Sequence, residues 1–156
     1  MSQSAIKVAT LASPLVIGSI IGYFFRPTKE WYGRLKKPVF APPPYLFGIV
    51  WPILYVLIGV SAYMALCTPK VRALPMWYLF LAQLVANFLF SPVFFGLKST
   101  LGGALVTVTT LVLAGAMAWQ FYSTFKKPTA AYLLIPYLLW LAFASVLAIT
   151  YFVLNH

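Results

Sequence analysis

Acidic side chains are almost missing from this sequence: Glu30 stands alone against eleven Lys and Arg, and there is no Asp. Cysteine and histidine are as scarce, with Cys67 and His156 the only examples of each. One cysteine allows no intrachain disulfide and no cysteine-based metal cluster. One carboxylate and one histidine at the chain end supply neither a paired-carboxylate site, nor a Ser-His-Asp triad, nor an ordinary metal site within one chain. Ordinary hydrolytic or acid–base catalysis is left without residues to carry it, and no metal or required cofactor is expected. Charge of any kind is sparse, at 8% of residues against about a quarter in soluble domains.

What the chain has instead is apolar length. Hydrophobic residues make up 63% of its 156 positions and the mean hydropathy is +0.94. A hydrocarbon core of ~30 Å takes ~20 apolar residues per helix, so five crossings would use most of the chain. The pattern predicts an all-α membrane protein, a single five-helix transmembrane bundle with helices at about 5–25, 45–67, 75–95, 101–125 and 130–154. A secretory signal is set aside, because the first apolar run is long and lacks a small-residue cleavage site before Arg26. The basic residues collect at the ends of the apolar runs, which suits anionic lipid or an anionic ligand and gives no nucleic-acid footprint. Five fall on one side and six on the other, so charge assigns no orientation.

The longest connection, residues 26–44, holds five basic residues, Glu30 and five prolines. Fixed proline dihedrals prevent a continuous helix, and Trp31, Tyr32, Phe40 and Tyr45 suit the interface. An ordered lid over the helix ends is expected, passing directly into the second helix with Trp51 and Tyr55. In that helix Trp51, Tyr55, Gly59 and Ala62 share one face, and Pro52 should weaken its outer end. In the third helix Gln83, Asn87 and Ser91 form a polar stripe flanked by Phe90, serving as interhelical glue or as ligand contacts. Gly18 with Gly22, and Ala82 with Ala86, mark close helix seams, within the chain or between copies. The fourth helix, rich in Gly, Ala and Thr, reads as packing, with hydroxyls bonded to their own carbonyls. In the fifth, Tyr137, Trp140, Ala144, Leu147 and Tyr151 recur every three or four residues, and Trp140, deep in the span, needs a partner or a cavity for its N–H.

Three blocks carry a resemblance: WYxxLxKPxxxPP then WxxLY from Trp31 to Tyr55, NxxxxPxFFG from Asn87 to Gly96, and PYLLWLAFA from Pro136 to Ala144. In this order they resemble the translocator protein family, also called tryptophan-rich sensory proteins or peripheral benzodiazepine receptors. The resemblance implies a five-helix bundle, commonly a homodimer, whose first loop closes a pocket for protoporphyrin IX, haem and drug-like ligands. It also implies a bacterial membrane or the mitochondrial outer membrane, and a role in tetrapyrrole transport or regulation. Carried over by position, the pocket comprises Tyr32, Trp51, Tyr55, Asn87, Phe90, Trp140, Ala144 and Leu147. Arg34, Lys36 and Lys37 are the candidates for ligand carboxylates. Some relatives are linked to light-dependent porphyrin breakdown, which makes Trp51 and Trp140 the candidates for that chemistry; a lipid- or sterol-binding structural subunit is the other alternative. The sterol-associated pattern is incomplete, since no basic residue follows Tyr151.

Overall fold

The structure, a computed structural model, describes residues 3–28, 30–67 and 75–156, with side chains from residue 4 and, in the third stretch, from residue 77. The expected turn with Lys70 and Arg72 lies outside the described residues. Among the described residues six α-helices are formed: α1 (Gln3–Phe24), α2 (Pro44–Leu66), α3 (Pro75–Ser91), α4 (Thr100–Ser123), α5 (Pro128–Tyr132) and α6 (Ile135–Asn155). They make five segments long and apolar enough to cross a membrane, α5 and α6 together forming the last.

Proline decides several of the boundaries. Pro43 is extended and Pro44 opens α2, where its missing N–H costs nothing. At Pro92 the α-helical ladder of α3 loses a donor, and the chain continues through a wide turn, Pro92–Gly96, closed by the Leu97 N–H on the Pro92 carbonyl at 2.8 Å. The last span was expected as one helix over 130–154, yet it breaks at Leu133 and Leu134. Pro136 has no N–H for the Tyr132 carbonyl and its ring would press on it, so α6 starts afresh at Ile135. Pro52, by contrast, lies inside an uninterrupted α2. Ser99 caps α4 by accepting from the Gly102 N–H at 3.0 Å.

The helices close into a ring: α1 packs on α2 and α3, α2 on α5 and α6, and α4 on α3, α5 and α6. At the end away from the residue 26–44 connector the ring is filled. Ile58, Ala62, Ala65 and Leu66 of α2 meet Phe80 and Leu84 of α3, Ala114, Met117 and Phe121 of α4, Ala130 of α5 and Leu134 just beyond it. Ser61 donates to the Ala130 carbonyl at 2.6 Å and ties α2 to α5. The two small-residue pairs are used inside the chain in part. A Cβ on Gly18 would overlap the Tyr55 ring, and Ala86 is buried within the chain's own fold.

At the other end the connector lies across the helix ends. Trp31, Tyr32 and Leu35 pack on a cluster of Phe94, Leu147 and Tyr151. Among its described residues the one helical turn is Tyr32–Arg34. Asn155, in the last turn of α6, holds it from both sides of one peptide unit pair: its Oδ1 accepts from the Lys36 N–H at 2.8 Å and its Nδ2 donates to the Lys36 carbonyl at 3.0 Å.

Candidate ligand cavity

Beneath that connector the ring is hollow, with a cavity of about 530 Å³. Each of α1, α2, α3, α4 and α6 contributes to its wall. Trp51 and Tyr55, one turn apart on α2, stand with ring centroids 5.4 Å apart. From α3 and its terminal turn come Asn87, Phe90, Ser91, Phe94 and Phe95, with Phe90 stacked on Phe94 at 5.3 Å. Ala144, Leu147 and Tyr151 line it from α6, and Tyr32 closes it from the connector, its hydroxyl 2.9 Å from that of Tyr151. Thr107 and Thr110 of α4 reach the wall while donating to the carbonyls of Gly103 and Val106, so their hydroxyl hydrogens are already committed. Gly48 and Pro52 of α2 also line it, and Pro52 has no N–H to give the Gly48 carbonyl.

The floor is polar and ordered. Tyr55 Oη donates to Asn87 Oδ1 at 3.0 Å, Asn87 Nδ2 donates to Tyr137 Oη at 3.0 Å, and Tyr137 Oη donates to Gln83 Oε1 at 2.9 Å. All four side chains are buried, and Gln83 Nε2 finishes the chain without a partner. In apolar surroundings such a network is held together by the cost of leaving any member unpaired. The stripe of Gln83 and Asn87 on α3 thus joins α2, α3 and α6, while Ser91, one turn further, faces the cavity.

Seven of the eight expected pocket residues meet around one space: Tyr32, Trp51, Tyr55, Asn87, Phe90, Ala144 and Leu147. Trp140 does not join them. Its indole lies on the seam between α6 and α2, in an outer groove with Leu46, Val50, Ile53 and Leu139. Leu141, on the other flank of Tyr137, takes the place on the cavity wall. The Trp140 ring sits 5.7 Å from Phe47, and its Nε1 is buried without a partner. Trp51 and Trp140, paired as candidates for porphyrin photochemistry, therefore face different surfaces. Arg34, Lys36 and Lys37 are exposed and none reaches the wall; Lys37 Nζ lies over the Tyr32 ring at 4.9 Å. The cation that does line the cavity is Arg26, just past the end of α1.

The sequence pattern of the TspO/MBR family matches residues 10–154. The chain belongs to the TspO/MBR family. The relatives are spread widely: the tryptophan-rich protein TspO of Archaeoglobus fulgidus is 38% identical over 95% of both chains. The translocator protein homolog of Schizosaccharomyces pombe is 34% identical over 91% of this chain and 87% of its own. The human translocator protein is 37% identical over 76% of this chain and 70% of its own. As a TspO/MBR member with five membrane-spanning segments, the chain is a multi-pass integral membrane protein. The family match covers every residue that lines the cavity.

Proposed function

We propose that this membrane protein binds tetrapyrroles such as protoporphyrin IX or haem, and flat drug-like molecules, in the cavity beneath its connector. Its role is then tetrapyrrole transport or regulation, in homodimers as the family resemblance implies. The observation that carries the reading is the wall itself. A space of about 530 Å³ falls within the roughly 300–1,000 Å³ of small-molecule sites. Its sides are rings suited to offset or edge contact with a flat aromatic ligand, and its polar groups include Tyr55 and Asn87 at the floor and Arg26, Tyr32 and Tyr151 at the connector end. No side chain charged at neutral pH lies deep in the span on the described wall, which favours exchange or sensing over ion-coupled pumping.

The test is a titration with protoporphyrin IX in the dark, followed by tryptophan quenching. Saturable binding is expected, weakened several-fold by Trp51→Phe and little changed by Trp140→Phe. Equal weakening by both changes would move the ligand to the seam between α2 and α6, and no saturable binding would remove tetrapyrroles as the ligand class.

A further inference from the structure

The cavity is open on one side, and its rim there carries charge. α1 and α2 are in contact lower down, where Gly18 receives the Tyr55 ring and Gly59 lies against the Leu11 carbonyl. Nearer the connector, a Cβ on Gly22 or on Gly48 would meet nothing within 4 Å. Both glycines line the cavity and both are exposed, as are Ser19 and Tyr23. The wall between α1 and α2 thus has a side opening, on the face that membrane lipid covers. Arg26 stands at its upper edge.

We propose that Arg26 recognises the anionic edge of the ligand at this opening, so that the cavity selects flat amphiphiles carrying a carboxylate. The inference rests on the ligand-binding reading above and adds the group that sets its selectivity. Among the described residues, Arg26 is the only charged side chain on the wall. Its guanidinium lies 4.2 Å from the centre of the Tyr23 ring, and it has no carboxylate partner among those residues. A guanidinium held over a ring face by cation–π contact keeps N–H donors available, and these can meet a carboxylate with two parallel hydrogen bonds. The remaining polar wall groups, including Tyr55, Asn87 and Ser91, are neutral. A carboxylate buried among them would lose its hydration without a counter-charge, whereas at Arg26 it keeps both. The ligand is therefore oriented with its acidic edge at the opening and its rings inward.

A plainer role is available to an arginine at this place: a cation at a helix C-terminus that holds lipid phosphate. Such an anchor is indifferent to the charge of the ligand. Two matched pairs distinguish the roles in nanodiscs of phosphatidylcholine: protoporphyrin IX with its dimethyl ester, and pyrenebutyric acid with its methyl ester, each corrected for partition into protein-free discs. The wild type is expected to bind the acid of each pair roughly tenfold more tightly than the ester, the scale of a charge-assisted hydrogen bond at a partly exposed site. Arg26→Gln should bring the acid down to the affinity of the ester, Arg26→Lys should keep part of the preference, and Lys37→Gln should keep all of it.

Equal binding of acid and ester by the wild type overturns the proposal, as does a preference that survives Arg26→Gln or disappears in Lys37→Gln. The pyrene pair separates the two readings. If porphyrins fail to bind while the pyrene acid retains an Arg26-dependent preference, tetrapyrroles fall as the ligand and the role of Arg26 stands. If both porphyrins bind alike, the reverse holds; if neither pair binds saturably, both readings fall.

Discussion

The two ends of the bundle are built from the same helices and behave as opposites. Away from the connector, α2 presents Ile58, Ala62 and Ala65, α4 presents Ala114, and Ala130 precedes α6, all with no exposed surface. Small side chains let the backbones approach, and close approach leaves no room for a ligand. Toward the connector α2 presents Phe47, Gly48, Trp51 and Pro52, and α6 presents Ala144 and Leu147 around a hollow. Here large rings such as Phe47 and Trp51 hold the helices apart, while Gly22 and Gly48 leave open what the rings enclose. The chain of hydrogen bonds from Tyr55 through Asn87 and Tyr137 to Gln83 runs along the boundary. It lets one end be stable so that the other can be open.

Substitutions that ignore this division should separate sharply in their effects. Filling the closed end is the most damaging: Ala114→Leu inserts a larger side chain where nothing is exposed, and overpacking of that kind costs about 1–3 kcal/mol. The thermal midpoint in detergent should fall by several degrees or more. Cutting the boundary comes next. Asn87→Leu leaves the Tyr55 and Tyr137 hydroxyls short of a partner, at a cost of about 1–2 kcal/mol, moderated because membrane helices find substitute partners. The same variant should loosen α2 from α3, seen as faster amide exchange around Tyr55.

At the open end the expected losses of stability are smaller and local. Asn155→Ala removes both bonds to Lys36, a loss of about 1 kcal/mol confined to the connector. It should raise amide exchange over residues 31–37 and speed ligand release without moving the global midpoint. Smallest on the stability scale is Gly22→Leu, because its side chain enters open space. Its thermal midpoint should stay near that of the parent, or rise slightly as Leu favours helix over Gly, while protoporphyrin affinity drops at least tenfold. A large loss of stability in Gly22→Leu, or none in Ala114→Leu, would erase the distinction between the two ends.

Much of this plan is legible in the sequence, because a membrane imposes length and polarity on each segment. The helix limits lie within about two residues of the hydropathy runs, apart from the break at Leu133 and Leu134 and the wide turn at Pro92. Both exceptions are effects of proline on hydrogen bonding, which hydropathy does not register. The Gln83 and Asn87 stripe is visible from spacing, since buried amides in a span need partners. Trp140 and Arg26 show where spacing runs out. A recurrence of three or four residues groups Trp140 with Leu147 on one side of α6, and only the packed helices set Leu147 on the cavity wall and Trp140 in the outer groove. Arg26 reads as one of five cations in a polar loop, and only the parting of α1 and α2 sets it apart. The fourth helix reads as plain packing for a similar reason: Thr107 and Thr110 do bond back to their own helix, and they also form wall.

The most direct test of the division is an experimental structure with protoporphyrin IX bound. The expected position of the macrocycle is between Trp51 of α2 and Ala144 of α6, above the Asn87 amide, with its carboxylate edge toward Arg26. A macrocycle lodged in the outer groove beside Trp140, with the space around Trp51 left free of it, would contradict the claim that the open end of the bundle is the binding site.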